Sequence, residues 1–287
     1  MAPLMTEAAA PGRSPSRLAD GAAVAGIVAA ACAVSWWLRL PWFYANFLFL
    51  GLPLAYVLVR SERTRRNLHA KFIAKLVLFA AVAYDSLCQR YAGWSSATIF
   101  PFTLPAGVVV EEIQWLALYF PLVLAVNEHF FTANRMTPPR RALRTVMATG
   151  FFVGLAVGII GVLHRPFAAF VYVKLGLLFQ VPVMGLALWA NRWVLRELLL
   201  ITVATAPANL LIELLALQNG YWAFPGDYLG MVTVAGYVFP WEEMIFLVVL
   251  SAPSLVATYA LYKNWKRVGA SHPGGAPRAL SASRGPG

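Results

Sequence analysis

Glu197-Leu-Leu-Leu-Ile-Thr-Val-Ala-Thr-Ala-Pro-Ala-Asn-Leu-Leu-Ile-Glu-Leu-Leu-Ala-Leu217 decides the fold. No residue between Glu197 and Glu213 is charged, and a helix of about 20 mostly apolar residues is what a bilayer core requires. Seven further stretches read the same way, at about 21–38, 41–59, 72–90, 106–127, 145–163, 168–189 and 236–262. None alternates apolar and polar residues as a barrel strand does. The sequence therefore predicts an all-α, polytopic membrane helix bundle of about eight spans. Composition agrees: the 287 residues are 60% hydrophobic and 12% charged, with a mean hydropathy of +0.66, against about 25% charged in soluble domains.

The net charge of +11 invites a nucleic-acid partner, but its placement removes that reading. If both termini are cytoplasmic, every Lys and Arg falls in a cytoplasmic loop or tail except Arg39, Lys75, Arg90, Arg165 and Lys174. Basic residues beside spans set membrane orientation, so no nucleic-acid partner is expected. The first span follows Arg13 and Arg17 and lacks a clear cleavage site, so it reads as a retained helix. The stretches 1–20 and 263–287, rich in Pro, Gly, Ser and Ala, read as disordered tails. Cys32 and Cys88 read as apolar packing residues. The four histidines form no ligand pair, and no dinucleotide or phosphate loop occurs, so neither a metal nor a cofactor is expected.

An internal repeat organises the acidic residues. Asp85 stands nine residues before Trp94, and Glu213 nine before Trp222. A loop follows each tryptophan, then a carboxylate pair: Glu111-Glu112 and Glu242-Glu243. Pro53 and Pro182 interrupt the corresponding upstream spans, and the offsets are 129 for the prolines, 128 for Asp85/Glu213, 128 for the tryptophans and 131 for Glu111/Glu242. This predicts a first repeat over 41–131, a second over 168–262, an extra N-terminal span at 21–38, and a linker over 132–167 holding the fifth span. Three spans plus one linker span is an even number, so the repeats enter the membrane from the same side, related by a parallel pseudo-two-fold axis. Asp85, Glu111, Glu112, Glu213, Glu242 and Glu243 then share one layer toward the non-cytoplasmic side.

A carboxylate inside a bilayer costs at least about 2.5 kcal/mol, which makes such residues functional candidates. Two adjacent carboxyls in a low dielectric do not both ionise cheaply. Glu111, Glu112, Glu242 and Glu243 are therefore candidate acid and base groups, with Asp85 and Glu213 in support. Trp94, Trp115, Tyr119, Trp222, Tyr237, Trp241 and Phe246 surround them. Trp94 and Trp222 also suit an interfacial aromatic belt, whereas Trp115 and Trp241 flank the Glu pairs within helices. Aromatic faces stabilise cations, so acid, base and aromatic walls together suit protonation of an alkene and guidance of the carbocation. Intramembrane acids in parallel repeats also describe a proton-coupled transporter, although no polar pathway extends beyond the one layer. A non-catalytic membrane subunit is the third reading.

Phe239-Pro-Trp-Glu-Glu-Met-Ile-Phe246, preceded by Gly220-Tyr-Trp222 and the 230–236 stretch, resembles the Pro-x-Glu-Glu-x-x-Phe signature of the integral-membrane lycopene cyclases. These are duplicated cyclase domains of archaea, fungi and some bacteria, and the resemblance spans about 41–262, as in the fused form. It implies cyclisation of acyclic ψ-ends of lycopene, or of another carotenoid or isoprenoid, without net redox change or cofactor. It carries Glu242 and Glu243 over directly, and Glu111 and Glu112 by repeat position. It further implies a bacterial-type cell membrane as the location, with membrane lipid and other carotenoid-pathway enzymes as neighbours. The first repeat departs from the pattern: Val109 stands where proline is usual and Trp115 where phenylalanine is, while Leu247 replaces a second phenylalanine in the other half.

Overall fold

The computed structural model describes residues 15–132, 141–163 and 169–270. It is mostly helical. Five helices are long and apolar enough to cross a membrane: Ser16–Leu38, Trp42–Arg60, Ala70–Arg90, Val171–Ala190 and Val194–Asn219. A sixth arises if Glu243–Val249 and Ser251–Lys263, bent by 50° at their junction, form one span. Two more helices, Val110–Val126 with its π-helical continuation Asn127–Phe131, and Arg141–Leu163, complete the main elements. Large apolar side chains face outward along several of them, among them Trp37, Val59, Trp189 and Val203. A water-soluble surface seldom carries so much exposed apolar area, and the chain has the character of a membrane protein.

Proline sets the local geometry of two of these helices. Pro53 and Pro182 lack an N–H, and the ring of each collides with the carbonyl four residues back. Each is preceded by a π-helical turn, Phe47–Gly51 and Gly176–Gln180, in which the backbone bonds lengthen to five residues. Gly176 lies where that second turn meets Phe246, and a Cβ there would overlap the ring. Two further π segments, Ala81–Asp85 and Glu243–Val249, contain Asp85 and Glu243.

Short strands close the loop end of the bundle. Strand β1 (Ser95–Ser96) pairs antiparallel with β2 (Trp222–Ala223), Ser95 opposite Ala223, so loops far apart in sequence are tied together. Strands β3 (Met231–Val234) and β4 (Tyr237–Pro240) form a hairpin. Its turn residues Ala235 and Gly236 have φ of 50° and 87°, the left-handed pair that a two-residue hairpin needs. Residues 237–240, expected at the start of the last span, are therefore strand: proline at 240 and the β-branched and aromatic residues before it pair in the hairpin, and helix begins only at 241.

The helix ends also differ from expectation. The first helix begins at Pro15, inside the stretch expected as a tail, and the last continues to Ala270, past 263. Pro suits a first helical turn. A tertiary reason is Asp20, which is buried and accepts from Tyr56 Oη (2.9 Å) and Arg60 Nε (2.9 Å), with His129 Nε2 at 3.0 Å. Arg13, Arg135, Arg140, Arg165, Arg278 and Arg284, used above for orientation, lie outside the described residues, as does most of the rest of both expected tails. Cys32 and Cys88 are free and buried, packed as apolar residues.

Asp20→Ala leaves a tyrosine, an arginine and a histidine without their shared acceptor. It should destabilise the protein by about 1–3 kcal/mol, read as a lower melting temperature in detergent, with Asp20→Asn affected less.

Candidate functional site

Among the helices lies a cavity of about 900 Å³, walled mainly by apolar and aromatic side chains. Along one wall it runs past Phe72, Leu76, Phe79 and Tyr84 to Asp85, and along another from Glu243 past Phe246, Ser251 and Ser254 to Tyr262. The acids thus occupy one end of an apolar column. Trp94, Trp115, Tyr119, Trp222 and Phe246 all line it. Trp241 does not; it is half exposed (49%) and its backbone N–H bonds Gly230 O at 3.0 Å.

Each Glu pair begins a helix, and its two members point to different places. Glu111 and Glu242 do not line the cavity. Glu111 Oε1 accepts from Ile99 N (2.8 Å) and Thr98 Oγ1 (3.1 Å), and Glu242 Oε1 from Leu229 N (2.6 Å). Both therefore anchor the preceding loop. Glu112 and Glu243 line the cavity instead. Adjacent helical residues lie about 100° apart, so one member of a pair turns inward as the other turns to the loop.

The two inward carboxyls have unlike partners. Glu112 Oε1 accepts from Gln89 Nε2 (2.6 Å), Trp94 Nε1 (2.8 Å) and Ser96 Oγ (2.6 Å), and Oε2 from Val109 N (3.4 Å). It also sits in the first turn of a helix, where the dipole favours an anion. Glu243 Oε2 accepts from the Tyr172 hydroxyl, and its carboxyl lies beside that of Glu213. Two neighbouring carboxyls in a low dielectric do not both ionise cheaply. Glu213, buried behind the cavity wall, accepts in addition from Trp222 Nε1 at 3.1 Å. Asp85, on the cavity, interacts electrostatically with Glu112. The carboxyls thus form two pairs, Asp85 with Glu112 and Glu213 with Glu243.

Aromatic groups join the pairs. The Trp94 ring lies 5.2 Å from Tyr172 and 5.8 Å from Tyr84, and Tyr172 lies 6.1 Å from Phe246. Trp115 stacks on Tyr119 at 4.5 Å. Tyr119 Oη and Ser251 Oγ are 2.6 Å apart, and Asn209 Nδ2 donates to Tyr119 Oη at 3.0 Å, linking three helices beside the column. Over the acidic end, Tyr228 Oη donates to Gly93 O (3.0 Å), joining the two long loops; burial pushes this hydroxyl up to about 12. Among the described residues no group of three or more His, Cys, Asp or Glu side chains is placed to hold a metal.

Sequence reasoning missed Tyr172, Gln89 and Ser96. Gln89 lies within the run from Asp85 to Trp94 and Ser96 two residues beyond it, but at the repeat offset of 128 they correspond to Leu217 and Phe224, so symmetry did not mark them. Tyr172 corresponds to Phe43 at 129 and was equally hidden.

No protein-family model, no curated protein and no solved structure matches the chain. The site must be interpreted from its own chemistry.

The outward carboxyls have a test independent of any activity. Glu111→Ala and Glu242→Ala each remove a buried acceptor of a loop N–H, a loss of about 1–3 kcal/mol. Limited proteolysis should then cut the 91–109 loop faster in the first variant and the 220–241 loop faster in the second. Glu243→Ala should leave both cleavage rates near wild type.

Proposed function

We propose that the protein is a carotenoid cyclase of the lycopene cyclase type, which closes acyclic ψ-ends to rings by acid catalysis inside the membrane. The observation that carries this reading is the meeting of two carboxyl pairs at the acidic end of an apolar, aromatic-walled column. A long hydrocarbon suits the column, and only the end group inserted beside the acids meets a proton donor.

In this mechanism Glu243, sharing a proton with Glu213, protonates the terminal double bond and leaves a tertiary cation. The neighbouring alkene attacks that cation and forms the ring bond. Trp94, Tyr172 and Phe246 present π faces to the moving charge, an effect of roughly 2 kcal/mol or more in a desolvated site. Glu112, supplied with four donors, takes a proton from the carbon beside the final cation. One proton enters and one leaves, so there is no redox change and no cofactor is needed.

The same reading includes an eight-span bundle of two parallel three-helix repeats joined by a linker helix. Several equivalences support it. The π turns precede Pro53 and Pro182 alike. Ser95 and Ala223, paired in the ladder, are 128 residues apart, the offset of Asp85 and Glu213. An antiparallel pair of equivalent residues is what a two-fold axis through the ladder produces. Val110–Phe131 and Arg141–Leu163 supply the two spans beyond the six apolar ones. Sorting of the basic residues supports a multi-pass place in a bacterial-type membrane with cytoplasmic termini.

Expression in lycopene-accumulating bacteria should shift the pigment toward cyclised carotenoids; unchanged pigment with the folded protein in the membrane refutes the reading. Glu243→Gln and Glu112→Gln should each lower conversion about 100-fold or more, the scale of a lost general acid or base. Glu242→Gln, which keeps the oxygen that accepts Leu229 N, should retain most conversion.

A further inference from the structure

The cavity is open on one side. Six of its lining residues are also exposed: Lys75 on the Ala70–Arg90 helix, Val146, Gly150 and Phe152 on Arg141–Leu163, and Leu178 and Pro182 on Val171–Ala190. Phe152 is 67% exposed, too much for a residue that faces only an enclosed space. These residues come from three helices and mark a gap among them. Two glycines on one face of Arg141–Leu163, four residues apart, show where the gap begins. At Gly154 the helix is in close contact: an added Cβ would lie 2.8 Å from Phe79 and 2.9 Å from Phe179, whose rings meet edge to face at 5.3 Å. At Gly150 an added Cβ meets no atom within 4 Å among the described residues. One helical turn thus separates a closed wall from an open one. Lys75 is the one charged residue of the six, and its long side chain carries the charge away from the apolar rim.

We propose that this gap is a lateral window onto the bilayer, through which one end of a long isoprenoid chain enters while the rest of the chain stays in lipid. The proposal rests on the cyclase reading for the nature of the substrate. Position favours it: Phe152 is the middle residue of the 23-residue helix Arg141–Leu163, so the gap faces the bilayer interior, where a hydrocarbon dissolves, and neither aqueous side. Distance agrees. Tyr172, the donor to Glu243, precedes Leu178 by six residues and Pro182 by ten, which is about 9–15 Å along a helix. An end group beside the acids therefore has the window within about 15 Å. A chain as long as the hydrocarbon core, about 30 Å, then passes out between the helices. Recognition is confined to the end group and the first part of the chain. The two ends of one molecule are converted in separate visits, and chains with unlike far ends are accepted alike.

The test is photocrosslinking of the full chain in liposomes that contain lycopene. Benzoylphenylalanine is introduced in place of Phe152 or Leu178 at the window and, as a control, of Val203, which is 74% exposed and does not line the cavity. Protein bearing one lycopene is counted by mass spectrometry, and conversion by the wild-type chain is measured in parallel. Adducts at Phe152 and Leu178 should exceed those at Val203 about tenfold, the ratio for a site that holds the chain about 1.4 kcal/mol more tightly than bulk lipid does. Gly150→Trp, whose ring the open space admits, should remove the excess at Leu178 and lower kcat/KM by about the same factor, with the melting temperature unchanged. Conversion with equal lycopene adducts at all three positions means that lipid acyl chains alone occupy the gap; it overturns the window and leaves the cyclase reading standing. Excess adducts at the window without conversion keep the window and refute the cyclase reading. Neither excess nor conversion refutes both. The adducts are read on chains that retain Gly150, so the outcome does not depend on whether the tryptophan variant folds.

Discussion

Removing a carboxyl group from water is the most demanding requirement this sequence places on its fold. Asp20, Asp85, Glu111, Glu112, Glu128, Glu197, Glu213, Glu242 and Glu243 are all buried, nine of the 12 acidic residues. Most of these groups have partners that replace their hydration, and the partners found determine much of the architecture. Toward one end, Asp20 gathers Tyr56, Arg60 and His129, while Glu128 takes Lys263 and Asn67 Nδ2. These contacts fix the first helix, the π turn after Val126 and the last helix against one another. Toward the other end, Glu111 and Glu242 take backbone N–H groups from the loops and hold them across the bundle.

The π turns belong to the same account. A regular α-helix presents a fixed face every three or four residues, and an inserted residue rotates everything beyond it. Pro53 and Pro182 impose that insertion sterically. The turns at Ala81–Asp85 and Glu243–Val249 contain no proline, yet they carry an acid and bring it to the cavity. π-bulges concentrate at functional sites because they re-aim side chains at the cost of regular bonding. Gly176 adds a packing condition, since only a residue without Cβ leaves space for Phe246 where it faces the acids.

Much of this was legible in the residues. Apolar length marked the helices long and apolar enough to cross a membrane, and the spacing of acids, tryptophans and prolines marked groups that gather at one end. Trp94, Trp115, Tyr119, Trp222 and Phe246 do line one cavity with Asp85, Glu112 and Glu243. What could not be read was rotation. Whether Glu111 or Glu112 turns inward depends on where the preceding loop places Thr98 and Ile99, a tertiary matter with no periodic signature. Trp241 was misplaced for the same reason, because the hairpin pulls it toward Gly230. The β1–β2 pairing joins residues more than a hundred positions apart, and two-residue strands are too short for alternation to appear. Asp20 lay in a stretch whose composition resembled a tail, and only its three partners reveal it as structural.

The halves are alike in landmarks and unlike in chemistry. At the first inward carboxyl stand Gln89, Trp94 and Ser96; the residues at the same offsets in the second half are Leu217, Trp222 and Phe224. Only the tryptophan persists, and it turns to Glu213 instead of to the inward glutamate. Tyr172, which donates to Glu243, stands where the first half has Phe43. One carboxyl is thereby surrounded by hydrogen-bond donors, while the other lies beside a second carboxyl, and two such neighbours do not both ionise cheaply in a low dielectric. Two identical sites would offer the same group twice at the same cavity. In the cyclase we propose, divergence of a few neighbours, with the acids themselves unchanged, makes one carboxyl pair the proton source and the other the proton acceptor.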